Sequence, residues 1–556
     1  MSEAFNIAEL LSNAARAHPH RRAVVFPHTR DRFGRVAYTH LTFAQLERES
    51  SRLARALGAY GLAPGMRTIV MVRPSLDFFV LTFALFKAAA VPVVVDPGMG
   101  LWRMLHCLQS SRPQAFIGIP PAHALRKCFP KFFRSVSVWV TVGKRWFWGG
   151  TTLAHLSRSP FAPLTPTTTG ADDTAAILFT TGSTGPAKGV VYTHANFRAQ
   201  IHQIREAFGI RPGEIDLPTF PLFALFDPAL GMTAVIPDMD PTRPAHVDPR
   251  KIIEAVTNHG VTNMFASPAL LDRVGRYGRA HGIKLPSLKR VVSAGAPVYP
   301  ENIARFAGML AAGSEIHTPY GATEAVPLTS IASAEILGKT RELSEQGYGM
   351  CVGRPLAGTR LRIITISDGA IENWRPELEV PDGEIGEIAV CGDLVTRRYF
   401  ENPAADRLAK IADGDRFWHR MGDLGWIDKR GRLWFCGRKS QRVVMQRQML
   451  YTVPCEAIFN RHPAVRRSAL VGIGRPPHQQ PVMCVELRRR VKRAAKAKIQ
   501  RELLALAKQS PLTAAISTIL LHTDFPVDIR HNSKIFREKL AVWAQKRLGP
   551  DAETRR

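Results

Sequence analysis

Apolar residues in the first third of the chain recur in two alternating rhythms, one with helical spacing and one of short unbroken runs. Thr42-Phe-Ala-Gln45 has the form of a capping box, in which the two polar side chains satisfy each other's backbone N–H groups, and it opens an amphipathic helix to about Leu57. The runs Thr68 to Val72 and Val91 to Val95 read as buried strands, with an apolar helix from about Phe78 to Ala89 between them. Ser159 to Thr169, rich in Pro, Thr and Ser, reads as a loop, and Ala175 to Phe179 as another buried strand that runs into a glycine-rich turn. Such alternation predicts an α/β fold with a mostly parallel sheet covered on both faces, and a ligand at the junction after a strand. From Gly353 to about Phe435 the texture changes to short strands broken by glycine turns: Leu361 to Ile366, Gly386 to Cys391 and Arg432 to Cys436. The remainder mixes helices and strands. The expected organisation is a large N-terminal domain, 1–436, of two sheet-and-helix subdomains and a β-rich subdomain at about 353–436, followed by a small α+β C-terminal domain, 437–556.

Composition narrows the class. At 556 residues the chain exceeds what one hydrophobic core supports, and 45% apolar with 22% charged residues excludes disorder and fibrous repeats. Seven scattered cysteines with no C-x-x-C pair imply reduced thiols rather than metal or redox chemistry. Met1 to Leu10 carries two glutamates and does not read as a signal peptide. Phe78 to Val95 is interrupted by Lys87 and Pro92, short of the ~18–20 clean apolar residues of a spanning helix. A cytoplasmic location follows as the expectation. The net charge of +29 raises nucleic acid, an anionic membrane surface and an acidic partner as candidates. Part of it lies in Arg488, Arg489, Arg490, Lys492, Arg493, Lys496 and Lys498, which a solvated helix face also explains. No zinc-finger spacing and no RNP-type strand accompanies the charge, so nucleic acid is not expected as a partner.

The strongest local chemistry is Phe179-Thr-Thr-Gly-Ser-Thr-Gly-Pro-Ala-Lys-Gly189. Glycines let backbone N–H groups close around phosphate oxygens, the hydroxyls of Thr180, Thr181, Ser183 and Thr184 add donors, and Lys188 supplies charge. Gly182 and Gly185 are too close together, and Lys188 is followed by glycine, so the loop is not of Walker type.

This loop resembles T-[ST]-G-[ST]-T-G-x-x-K-G of the adenylate-forming superfamily, which comprises acyl-CoA synthetases, luciferases and peptide-synthetase adenylation domains. Further family motifs follow in order over nearly the whole chain. Ser293-Ala-Gly-Ala-Pro297 matches the segment against adenine, Tyr320-Gly-Ala-Thr-Glu324 matches Y-G-x-T-E, and Gly383-Glu-Ile-Gly-Glu387 matches G-E-x-G-E. Arg420-Met-Gly-Asp423 matches R-T-G-D with methionine for threonine, Gly437-Arg438 opens the small lobe, and Asn532-Ser-Lys-Ile535 stands where the family has S-G-K-I. The resemblance implies ATP and Mg²⁺ as cofactors and a mobile C-terminal lid. It places Gly295, Ala296, Pro297, Tyr320 and Gly321 around the nucleotide, Thr323 and Glu324 at the α-phosphate, and Glu324 on Mg²⁺, an ion that takes hard oxygen ligands. It implies that Asp423 accepts the ribose hydroxyls, that Arg438 contacts ribose or phosphate, and that Lys534 bridges substrate carboxylate and α-phosphate, stabilising charge in the transition state.

Departures from the pattern bear on the acceptor. The hinge position carries Ser440 where thioester-forming relatives have Asp or Lys, and Val443 to Leu450 contains no glycine, so Gln446, Arg447 and Gln448 are expected to crowd a pantetheine path. Phe220-Pro-Leu-Phe-Ala-Leu-Phe226 places Phe223 where many relatives have histidine; Phe223 and Phe226 suggest an apolar acyl pocket, and a core strand explains them equally well. Over its length the chain looks most like the β-lactone synthetases of bacterial long-chain olefin biosynthesis. That likeness implies a 2-alkyl-3-hydroxy fatty acid as substrate, closing on its own adenylate, with other enzymes of the pathway and a membrane surface as possible contacts. A fatty acyl-CoA ligase keeps the same nucleotide residues and is the nearest alternative; a scaffold without chemistry is the alternative of another class. His317 is a speculative base for the hydroxyl, with a structural role the plainer reading.

Overall fold

The protein is described from a computed structural model, which covers residues 5–160, 166–180, 187–220, 224–489, 491–527 and 535–549. Thr42 caps the helix Phe43–Ala59 by the reciprocal pair expected of its sequence: its hydroxyl accepts from the Gln45 backbone N–H at 3.2 Å, and the Gln45 side-chain Oε1 accepts from the Thr42 N–H at 2.8 Å. The next helix, Leu76–Lys87, is capped by Ser75 and buried on almost every side, which is why it is apolar all round. It ends two residues earlier than the apolar pattern suggests, because Ala89 turns into the left-handed region at φ 51°. The lysine within this apolar run, Lys87, is fully buried, with Glu47 at 2.8 Å and the Ser50 and Ser51 hydroxyls at 2.9 and 2.8 Å around its ammonium. A buried charge is tolerated when it is paired and hydrogen-bonded in this way.

Two sheets frame the body. The first has seven strands in the order Thr151–Thr152, Val138–Thr141, Ala115–Gly118, Arg67–Met71, Val91–Val95, Thr174–Thr180 and Lys188–Thr193, parallel except for the last pair. The second has a parallel centre from Thr233–Val235 through Ile215–Pro218, Asn263–Ala266 and Arg290–Ser293 to Glu315–Ala322. The β-rich region read from Gly353 onward continues this sheet. Ala325–Ala332 pairs antiparallel with Met350–Pro355, and antiparallel strands extend the order to Arg360–Ile364. Gly353, at φ 86°, sits where any Cβ would strike the Ser330 carbonyl, so the junction requires glycine.

A three-stranded sheet, Val465–Ile473, Gln480–Leu487 and Thr518–His522, carries the helices Thr452–Asn460, Arg493–Lys508 and Arg537–Leu548. The first of these helices packs on the strand Leu433–Arg438 and the helix Arg341–Glu345 of the body. Arg488, Arg489, Lys492, Lys496 and Lys498 are exposed, while Arg490 lies outside the described residues. All seven cysteines are free, and no described helix is long and apolar enough to cross a membrane.

Candidate active site

The carboxyl ends of both parallel arrays meet at one cavity of about 1770 Å³. From the first sheet come Met71 to Arg73, Val94 to Asp96 and Phe179; from the second come Pro218 to Phe220, Ser293 to Val298 and Thr318 to Glu324. This is where open α/β sheets place ligands, because the chain leaves each strand there in a loop free to diverge. The volume exceeds the ~300–1,000 Å³ of ordinary small-molecule pockets.

One end is polar. Tyr320 donates its hydroxyl to Asp423 Oδ2 at 2.7 Å, and Asp423, directly opposite Arg438 on the neighbouring strand, pairs with it at 3.0 Å. Burial and the Asp423 carboxylate push the Tyr320 phenol well up, so it stays a neutral donor; Asp423 in turn raises Arg438, which keeps its charge. Gly321 is required by packing, since a Cβ there would lie 2.5 Å from the Ala325 carbonyl oxygen. Glu324 Oε1 accepts from the Tyr399 hydroxyl at 2.8 Å, and burial together with the Glu324 charge raises that phenol as well. The Glu324 carbonyl accepts from the Thr396 N–H at 2.9 Å and hydroxyl at 3.1 Å, and the Thr323 carbonyl accepts from the Tyr192 hydroxyl. Lys188 lines the same cavity, with its ammonium 4.8 Å from the centre of the Tyr399 ring. Behind it the half-buried Lys410 donates to the Thr396 carbonyl; desolvation pushes its ammonium down to about 7, with Glu324 and Asp406 opposing the shift.

The motif residues Glu387 and Arg420 lie beneath this end as a buried pair at 2.6 Å, with three backbone carbonyls completing the guanidinium. Lys439, next to Ser440, joins the same carboxylate at 2.9 Å. The sequence matched Glu387 and Arg420 to motifs without a role; their geometry makes them the support on which Asp423 and Arg438 stand. Tyr192, Tyr399 and Thr396 were not singled out from sequence, because their partners are 72 to 131 residues away; Lys410 joins them through Thr396, 14 residues before it.

The other end is apolar. Phe78, Phe79, Phe83 and Phe86 of the buried helix face Phe197, Leu225, Phe226 and Ala229, and a second apolar side carries Met71, Met104, Ala122, Leu125 and Phe179. Next to Phe226 in the chain, Asp227 forms with Asp216 a buried carboxyl pair outside the cavity lining; burial pushes Asp216 up to about 8 and holds Asp227 well above the usual carboxylate range.

Of the residues singled out in sequence, Lys188, Gly295, Ala296, Pro297, Tyr320, Gly321, Thr323, Glu324, Asp423, Arg438 and Phe226 all line the cavity. Thr180 ends its strand opposite Lys188. Thr181, Gly182, Ser183, Thr184, Gly185, Phe223 and Lys534 lie outside the described residues; Ile535 and Arg537, just after Lys534, line the cavity. Of the two readings of His317, the structure fits the plainer one. His317 is absent from the lining: its ring packs edge-on to Phe208 at 5.3 Å, and burial lowers its basicity, so it is a packed strand residue. Gln446, Arg447 and Gln448 are exposed in the turn between Val443–Val444 and Met449–Leu450 and stand outside the cavity lining.

The chain is 50% identical over 551 residues, 98% of each chain, to an olefin beta-lactone synthetase of Xanthomonas campestris pv. campestris. It is 48% identical, over 99% of each chain, to an olefin beta-lactone synthetase of Stenotrophomonas maltophilia. Among solved structures it matches the amide bond synthetase McbA of Marinactinospora thermotolerans at a TM-score of 0.78 and 20% identity, over 97% of this chain and 99% of that one, a likeness of fold. A family model described as AMP-binding enzyme matches residues 11–400, and the chain belongs to that adenylate-forming family.

Proposed function

We propose that the protein is an AMP-forming β-lactone synthetase, which activates a long-chain 2-alkyl-3-hydroxy acid with ATP and closes it on its own adenylate. The observation that carries this reading is the single cavity that joins a polar end of motif residues to a phenylalanine-lined end, in a chain that matches olefin β-lactone synthetases from end to end. A carboxylate oxygen of the acid attacks the α-phosphorus of ATP, a P–O–acyl bond forms, and the bond to pyrophosphate breaks. The β-hydroxyl oxygen then attacks the acyl carbon, AMP departs, the hydroxyl proton is released, and a four-membered ring closes. Both reacting groups belong to one molecule, so orientation in the cavity replaces the encounter with a second substrate.

In this reading Asp423, held by Tyr320 and Arg438, accepts the ribose hydroxyls, and Ser293 to Pro297 lie against adenine. Lys188 supplies charge to the phosphates, and the hydroxyls and glycines of 180–185 are their proposed hydrogen-bond donors. Lys534, in the segment whose described end Ile535 borders the cavity, supplies charge at the α-phosphate. Glu324 fits Mg²⁺ as a hard oxygen donor aimed into the polar end, with Tyr399 fixing one of its oxygens. The ion neutralises phosphate charge when bound. Phe226 and the phenylalanines of Leu76–Lys87 hold alkyl chain. Residues 437–556 are the lid, and its junction is tied to the body by the Lys439–Glu387 pair. The reading places the protein in the cytoplasm, in reach of other enzymes of the olefin pathway.

The test is to incubate protein with Mg-ATP and a long-chain 2-alkyl-3-hydroxy acid, with and without coenzyme A, and to follow AMP and products by mass spectrometry. Lactone and AMP in equal amounts without coenzyme A are expected. A thioester formed only when coenzyme A is present would replace this reading with that of an acyl-CoA ligase.

A further inference from the structure

From Pro97 to Ala171 the chain contains no aspartate or glutamate, against 46 in the whole sequence, while carrying nine lysines and arginines. Several of the nine have partners within the fold: Arg112 pairs with Glu401 at 3.1 Å, Arg126 is buried against the Trp139 ring at 3.9 Å, Lys131 lies 5.1 Å from the centre of the Phe132 ring, and Arg145 donates to the Gly150 carbonyl. Arg103, Lys127, Lys131, Arg134, Lys144 and Arg145 are exposed.

Large aromatic side chains stand out among these cations. Trp102 is 59% exposed, Trp146 62% and Phe147 82%. The last two are held out by a built anchor. Trp148 is buried, stacks on His123 at 5.6 Å and donates its indole N–H to the Thr141 hydroxyl at 3.0 Å, while Arg126 grips its carbonyl at 2.6 Å. With Trp148 fixed, Trp146 and Phe147 project from a loop tied to the core, and Trp102 rests on Phe129 at 5.5 Å. The helices Leu101–Ser110 and Pro120–Cys128 that carry this face turn their other sides inward, where Met104, Ala122 and Leu125 line the second apolar side of the cavity.

We infer that the face formed by Trp102, Lys127, Lys131 and the loop Lys144–Phe147 docks on an anionic lipid bilayer, with the aromatic rings at headgroup depth. Tryptophan and its neighbours prefer that interface because one part of the ring is apolar and the other is wet. Lysines and arginines beside them are attracted by the negative surface of a cytoplasmic leaflet, and the absence of any carboxylate over the whole segment removes the repulsion that would oppose contact. The cavity wall on the inner side of the same helices gives the docking a use, which rests on the long-chain substrate proposed above: poorly soluble acid and product move between bilayer and cavity over a short path.

The test uses the full chain and sedimentation with phosphatidylcholine vesicles, with and without phosphatidylglycerol. Binding to the anionic vesicles that falls as salt is raised is expected. W146S/F147S and, separately, K144Q/R145Q are each expected to weaken it on the order of tenfold or more. The second variant leaves the aromatic packing intact and answers for misfolding of the first. In both, AMP formation from a short, water-soluble 3-hydroxy acid should match the parent. No sedimentation with anionic vesicles at low salt, or sedimentation indifferent to both variants, overturns the inference. A self-association that disappears in W146S/F147S without any vesicle binding also overturns it and assigns the face to a second copy of the chain. Vesicle binding by a protein that forms no AMP from any acid would leave the docking standing and count against the proposed function alone.

Discussion

The two ends of the cavity are built on opposite terms. At the polar end a few side chains are held by directional bonds: Tyr320 on Asp423, Asp423 on Arg438, Tyr399 on Glu324, and the buried Arg420–Glu387 pair beneath them. At the apolar end many side chains share one task, and shape alone specifies it: four phenylalanines of one helix against Phe197 and Phe226. Directional bonds demand particular residue types, so a single change is costly. A wall of hydrocarbon tolerates exchange at constant volume, so single changes tune it.

Mutation separates the two regimes. Glu324→Gln keeps the size and the bond from Tyr399 but removes the charge, and AMP formation is expected to fall by about 10²–10³-fold, read by initial rates at saturating ATP. A loss below tenfold would remove Glu324 from the reacting region. Asp423→Ala strips the acceptor from Tyr320 and leaves Arg438 without its partner; a rise of about 10–100-fold in KM for ATP is expected, with a smaller change in kcat. Tyr399→Phe deletes one hydrogen bond to Glu324, and roughly a tenfold drop in kcat/KM would mark Tyr399 as a positioning residue. If Tyr399→Phe matched the parent at every Mg²⁺ concentration, that assignment would fail.

At the apolar end, Phe226→Ala opens volume against Ala229. It is expected to shift the chain-length optimum upward by several-fold in kcat/KM, with KM for ATP unchanged. A uniform loss across chain lengths would mean that Phe226 supports the fold rather than the substrate. The smallest effect is expected at Asp216. Its carboxyl is pushed up to about 8, so the folded state keeps a proton that the unfolded chain loses above about 4, and stability drains as pH rises between the two. Asp216→Asn cannot ionise. Its melting temperature should fall less between pH 5 and pH 8, with a gap near ~2 °C at the upper end; parallel curves would contradict the protonated reading.

The nucleotide end is legible in the sequence because phosphate, ribose and carboxylate chemistry restricts residue choice within short windows. Tyr320 to Glu324 needs its glycine, tyrosine and glutamate within five positions, and such a string can be read along one strand end and the turn that follows it. The capping box at Thr42, the buried strands and the break at Lys87 are equally local, set by hydrogen-bond reach of three residues or by apolar run length. Tertiary structure alone decided what stands behind those strings. Tyr399 reaches Glu324 across 75 residues, Lys439 finds Glu387 across 52, and both bonds exist only once the sheet is assembled. His317 belongs to the same lesson: three residues before the motif in sequence, it packs onto Phe208 and lies outside the cavity lining. Sequence by itself determined which chemistry the chain carries, since that is written in residue type. The joining of polar and apolar ends into one chamber, and the exposure of Trp146 and Phe147 beside it, came from packing, because volume and accessibility are properties of residues distant along the chain and close in space.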